Sequence, residues 1–179
     1  MSSPKLALDP PQDYLAVLTS KRLDEALAQS RISPRRRIIA PLHRSLADPL
    51  HRMFNAIQPG SYVRPHRHLD PPKAEAWIVL RGALLFVTFL DDGTIADHVV
   101  LDSESGTFGV DLVPGHYHTL AALRPDTIIY EVKTGPYEAT TDKSFAPWAP
   151  EEGTAEAQSY LSDLLMACGQ DPSLSHAQV

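Results

Sequence analysis

From Leu50 to Lys133 a turn signal interrupts the chain again and again: Pro59-Gly60, Gly82, Asp91-Asp92-Gly93, Pro114-Gly115 and Arg124–Asp126. The pieces between these turns are rich in β-branched, aromatic or alternating residues: LHRMFNAI, SYVRPHRH, AWIVLR, ALLFVTFL, IADHVVL, TFGVDLV, HYHTLAAL and TIIYEVK. A chain divided in this way has no room for long helices. Short strands spaced at about 8–12 residues form an all-β sandwich or barrel. Asp91-Asp92-Gly93 between two apolar runs is a strong hairpin signal and predicts that Ala83–Leu90 pairs with Ile95–Leu101. Sixteen prolines, spread over the chain, reinforce the preference for short elements.

The flanks read differently. Residues 1–12 form a loose tail. Residues 13–49 hold a short helix at Ser20–Gln29, with Thr19 or Ser20 as cap and Leu23, Ala26 and Leu27 on one face. The run IIAPL after SPRRR is an outer strand, and His43–Pro49 is a loop. Residues 50–135 are the barrel core. Residues 136–179 form an irregular strap carrying Tyr137, Phe145 and Trp148, followed by a helix at Thr154–Ala167 with Tyr160, Leu161, Leu164 and Leu165 on one face. A length of 179 residues fits a single domain.

Composition narrows the function classes. A formal net charge of -6 argues against nucleic acid as the main partner, because phosphate backbones demand a basic surface. The single cysteine, Cys168, rules out an intrachain disulfide and suits a reducing compartment. No apolar run suits a signal peptide or approaches the roughly 20 residues of a membrane span. The expectation is a cytoplasmic protein with no membrane partner.

The eight histidines are unevenly distributed. His66 and His68 are two apart in an extended segment, so both imidazoles can face one point while Arg67 faces away. Glu75 follows the loop LDPPKA at the start of the next strand, where a hairpin could return its carboxylate to the imidazoles. His118 lies three residues after the Pro114-Gly115 turn. Three imidazoles and a carboxylate suit one divalent transition metal ion: zinc, iron(II), manganese, nickel or copper. His43, His51, His98 and His176 are read as ordinary surface or core residues. Cys168 sits near the end of the last helix, far in sequence from the histidines, and reads as structural. There is no nucleophile constellation, phosphate-binding loop or dinucleotide fingerprint.

The segment Gly60-SYVRP-His66-R-His68-LDPPKA-Glu75-AWIVLR-Gly82 resembles the first cupin motif, with a longer spacer before the glutamate. Pro114-Gly115-His116-Tyr117-His118 resembles the core of the second, with Ala122 where an asparagine is usual. The resemblance implies a cupin jelly-roll β-barrel with short flanking helices and a metal held by His66, His68, Glu75 and His118. From about Val17 to Leu165, the stretches LADPLHRMFNAIQPGSYVRPHRH, PGHYHTL, EVKTGPY and TDKSFAPWAPEEG are similar to the WbuC family of cupin-fold metalloproteins. That family occurs in bacterial surface-polysaccharide gene clusters. Cupins often form homodimers.

Around the expected metal, His116 shares strand parity with His118 and is a candidate catalytic residue beside Glu75. Arg64 shares parity with His66, so it is a candidate for binding an anionic substrate, as are Lys73 and Tyr62; Arg67 points to the opposite face. The run Arg35–Arg37 is either solvated surface or part of the same anion rim. Three readings stay open: a metal-dependent isomerase or epimerase acting on a small anionic carbohydrate or sugar nucleotide, an iron-dependent dioxygenase, and a binding cupin without turnover.

Overall fold

The computed structural model describes residues 5–176; the ends of the expected N-terminal tail and C-terminal segment lie outside the described residues. In chain order the elements are α1 (Ser20–Ile32), β1 (Arg37–Pro41), β2 (Leu50–Ile57), β3 (His66–Arg67), β4 (Glu75–Arg81), β5 (Ala83–Phe89), β6 (Ile95–Asp102), β7 (Gly109–Leu112), β8 (Tyr117–Ala122), β9 (Thr127–Thr134), β10 (Ser144–Phe145), α2 (Ala155–Ala167) and a short 3-10 helix at Pro172–Ser175. The strands form two five-stranded sheets, β1-β2-β9-β4-β7 and β10-β3-β8-β5-β6. All strand pairs are antiparallel, and the sheets face each other as a jelly roll.

Apolar periodicity explains three core layers. Trp77, Val79, Leu84, Phe86, Leu120 and Ile129 point inward and fill one end of the barrel. The opposite face of β5 (Leu85, Val87 and Phe89) packs under α2 through Leu161, Leu164 and Leu165. The outer face of β2 packs on α1, with Phe54 and Ala56 against Ala26 and Leu27. β5 is covered on both faces, which is why ALLFVTF reads as a nearly continuous apolar run rather than an alternating one.

Local chemistry sets the ends of the elements. Thr154 Oγ1 accepts a hydrogen bond from Ala157 N at 3.2 Å and starts α2. α1 begins after Thr19, which makes no side-chain cap. Gly82 turns the chain between the two sheets at φ +77, and a Cβ there would come within 2.5 Å of Thr127 Oγ1.

Two expectations need correction. Part of the N-terminal tail is held in place: Leu8 N donates to Ile39 O at 2.7 Å, and Ala7 bridges Ile39 in parallel. Nor do β3 and β4 form a hairpin. β3 pairs with β8 and β10, whereas β4 pairs with β7 and β9 in the other sheet. Glu75 therefore meets the histidines across the barrel. The strand expected over SYVRPHRH shrinks to His66–Arg67, because Pro65 cannot donate to a ladder.

Candidate metal centre

β3 and β8 place His66 directly opposite His118, with ring centroids 4.6 Å apart. His68 lies 5.3 Å from His66, ring to ring. Nitrogens of the three histidines lie within 4.8 Å of one another, so the triad could hold a metal ion. From the facing sheet, Glu75 brings its oxygens to 3.2 Å from His68 Nε2 and 3.0 Å from His118 Nε2. All four residues are buried.

The other ring nitrogens show which lone pairs are free. Nδ1 of His66 donates to Arg64 O at 3.0 Å, and Nδ1 of His118 donates to His116 O at 3.0 Å. Nδ1 of His68 donates to the backbone carbonyl of Asp142. A carbonyl only accepts, so each ring carries its proton on Nδ1 and turns an Nε2 lone pair toward the centre. His68 Nε2, His118 Nε2 and Glu75 Oε2 are buried and make no hydrogen bond. A cluster of buried acceptors without a donor fits a cation, and this donor set fits a borderline divalent metal.

Electrostatics agree. Burial pushes His66 well below the ordinary histidine range, with Lys143 and His118 adding to the shift, so its imidazole stays neutral.

Behind this centre lies a buried ion network. Lys73 Nζ donates to Asp142 Oδ1 at 2.6 Å and to Pro136 O at 2.5 Å, and Lys133 Nζ donates to Asp142 Oδ2 at 3.2 Å. Lys133 also stands 3.9 Å from Glu75. Asp142 belongs to the strap, so one residue ties the strap to two lysines through its carboxylate and to His68 through its carbonyl.

In front of the centre opens a cavity of about 440 Å³, lined by His66, Glu75 and His118 at its floor and by Trp77, Tyr137 and Phe145 on its walls. Arg64, which precedes β3, also lines it, with its guanidinium 5.1 Å from the Phe145 ring centroid. Arg67 faces away and stacks on Tyr117 at 4.2 Å. Arg37 also lines the cavity and bonds both oxygens of Glu152 at 2.7 Å, while Arg35 bonds Oε1 at 2.8 Å.

Three expected site residues lie elsewhere. Lys73 is committed to the buried pair with Asp142 and has no ammonium free for substrate. Tyr62 is buried beneath α2, where its hydroxyl donates to Pro150 O at 3.0 Å. The His116 side chain is exposed outside the cavity lining, and its contribution is the carbonyl that orients His118. Conversely, sequence reasoning missed Asp142, Glu131 and Lys143. Glu131 lines the cavity from β9 and accepts from Asn55 Nδ2 at 2.7 Å. Alternation along TIIYEVK could have flagged Glu131 as facing the same way as Lys133; nothing in the irregular strap marks the other two.

A family model described as "Domain of unknown function (DUF6016)" matches residues 18–101. No curated protein matches. Among solved structures, L-ribose isomerase from Cellulomonas parahominis with L-ribose is similar at 15% identity and TM-score 0.50, over 65% of this chain and 72% of that one. KdgF from Halomonas sp. is similar at 15% identity and TM-score 0.46, over 61% of this chain and 87% of that one. The capsular polysaccharide assembling protein CapF from Staphylococcus aureus is similar at 18% identity and TM-score 0.46, and this chain spans 27% of its length. The fold is the all-β cupin jelly roll, and among the described residues no helix is long and apolar enough to cross a membrane.

Proposed function

We propose that this protein is a metal-dependent cupin in which His66, His68, Glu75 and His118 hold one divalent ion and the cavity above them receives a small anionic carbohydrate. The observation that carries this reading is the ring of buried, partnerless acceptors, His68 Nε2, His118 Nε2 and Glu75 Oε2, opening onto a lined cavity. A divalent ion bound there would supply Lewis acidity toward a carbonyl or hydroxyl oxygen.

The chain's own residues supply the rest. Among the described residues, the cavity lining includes the carboxylates Glu75, Glu131, Asp142 and Glu152. Glu75 faces imidazoles, Asp142 pairs with lysines and Glu152 pairs with arginines, whereas Glu131 makes no ion pair and accepts from the Asn55 amide, with Lys133 and Lys143 acting on it through charge alone. Glu131 is thus the carboxylate free to accept a proton from a ligand, the step that sugar isomerisation or epimerisation requires. Glu75 serves as ligand rather than base. Arg64 stands at the rim with its planar guanidinium backed by Phe145, placed to bind an anionic or hydroxylated edge. A cavity of about 440 Å³ lies near the small end of the roughly 300–1,000 Å³ range of ligand pockets, which favours a monosaccharide derivative over a sugar nucleotide. The likeness to L-ribose isomerase concerns the fold; the ligand class rests on the charge of this cavity. On the WbuC resemblance, the reading extends to surface-polysaccharide assembly in the cytoplasm by a homodimer.

The test is metal analysis of protein purified without added metal, for the wild type and for His66→Ala and His118→Ala. The expected result is about one equivalent of transition metal in the wild type and loss of most of it in both variants, with far-UV circular dichroism unchanged. Barrel stability comes mainly from apolar burial, so the fold survives loss of a ligand. A full equivalent of tightly bound metal in both variants would refute the ligand assignment.

A further inference from the structure

Among the described residues, five cations other than histidine line the cavity: Arg35, Arg37, Arg64, Lys133 and Lys143. Four have a carboxylate within reach. Arg35 and Arg37 share Glu152, Lys133 pairs with Asp142, and Arg64 has Glu151 at 3.9 Å. Lys143 has none, and it makes no side-chain hydrogen bond. It is surrounded by protein, yet its side chain is accessible, because it stands in the cavity rather than in the packing. Burial and the neighbouring Lys133 lower its pKa to about 8 against the opposing pull of Glu131 and Glu75, which leaves it mostly charged at neutral pH. The strap holds it there: its neighbours Asp142 and Phe145 are anchored by the buried lysines and by β3.

We infer that Lys143 binds the carboxylate of a monosaccharide-sized sugar acid in this cavity. The match is one of charge and size. One unpaired ammonium suits a singly charged group, and no helix N-terminus or glycine-rich loop among the cavity-lining residues adds the further donors that phosphate sites draw on. Among the described residues neither Glu131 nor Lys143 makes an ion pair of its own, so the cavity offers both a base and an anion anchor. This assignment rests on reading the cavity as a ligand site, and not on the identity of the metal.

The test is titration calorimetry of the full-length protein with glucuronate and galacturonate, the matching neutral aldoses, and the matching hexose phosphates. Wild type, Lys143→Met and Lys143→Arg are compared, and bound metal is measured in each sample. Expected are tighter binding of a uronate than of its neutral aldose, and a loss of roughly tenfold to a hundredfold for the uronate alone in Lys143→Met. Lys143→Arg should recover part of that loss, with metal content equal in all three. Unchanged uronate affinity in Lys143→Met, preference for hexose phosphates, or no binding by any of the three classes would overturn the inference, while the metal content separately decides the metal assignment. Uronate binding that depends on Lys143 in metal-free protein would sustain the inference independently of the metal reading.

Discussion

Asp142 is the residue on which the candidate site depends most without touching its centre, and Asp142→Asn probes that directly. The carboxylate is almost fully buried, as is its partner Lys73 at 2.6 Å, and Lys133 at 3.2 Å is nearly so. Asparagine keeps the shape but leaves the buried Lys73 ammonium without its counter-charge and Lys133 with only the more distant Glu75, at 3.9 Å. Removing one partner of a buried ion pair costs about 3–5 kcal/mol, because the remaining charge is left desolvated. For a domain of this size, each kcal/mol moves Tm by about 2–4 °C, so the expected drop is roughly 6–20 °C. Lys73→Met should cost less, since Asp142 retains Lys133. Metal affinity should fall as well, because the strap that presents the Asp142 carbonyl to His68 Nδ1 loses its anchor. The assay is urea or thermal unfolding monitored by circular dichroism, with metal titration on the folded protein. Asp142→Asn with unchanged Tm and unchanged metal affinity would refute the account of the network, and Lys73→Met more damaging than Asp142→Asn would refute the ordering within it.

Two pH effects follow. Lys133 and Lys73 hold the Asp142 carboxyl below its ordinary value against the opposing effect of burial, so its contribution to stability is fully present above the unfolded pKa, near 4, and is lost as pH falls through the folded value; acid unfolding should therefore be blunted in Asp142→Asn. His66 is held well below the ordinary histidine range, so its imidazole should stay neutral as pH falls through that range, and an NMR titration showing His66 protonated at about pH 6.5 in metal-free protein would contradict its burial. At the rim, Arg64→Ala should weaken binding of an anionic sugar by about tenfold or more, whereas Arg67→Ala, whose guanidinium lies on Tyr117 and Asp91, should leave it nearly unchanged; equal losses in calorimetry would reverse that assignment.

The barrel was legible in the chain because strand periodicity and turn chemistry are local. Pro59-Gly60, Gly82, Asp92-Gly93 and Pro114-Gly115 each interrupt the chain where the structure turns, and β4, β5, β6, β8 and β9 begin within a residue or two of the predicted limits. The same two-residue period puts His66 and His68 on one side and sends Arg67 outward, whereas Arg64 lines the cavity from a segment outside any strand. Histidine spacing and the cupin resemblance together brought His118 to the same centre.

What lay beyond the sequence are the relations made by the strap and by the crossing between sheets. Lys73 reads as a cation beside a ligand, yet it meets Asp142 across the 69 residues that separate them and becomes part of the support. Tyr62 reads as an inward residue, but the chain before Pro65 forms no strand, and its ring goes to the layer under α2. His116 has the parity of His118 but precedes β8, so parity does not govern it. Lys143 and Asp142 are consecutive and point to opposite fates, one open to the cavity and one fully paired. No local periodicity distinguishes them, because an irregular segment takes its conformation from the surfaces it crosses: periodic hydrogen bonding lets a strand declare its faces in its own sequence, and a strap acquires its faces only when the two sheets have closed beneath it.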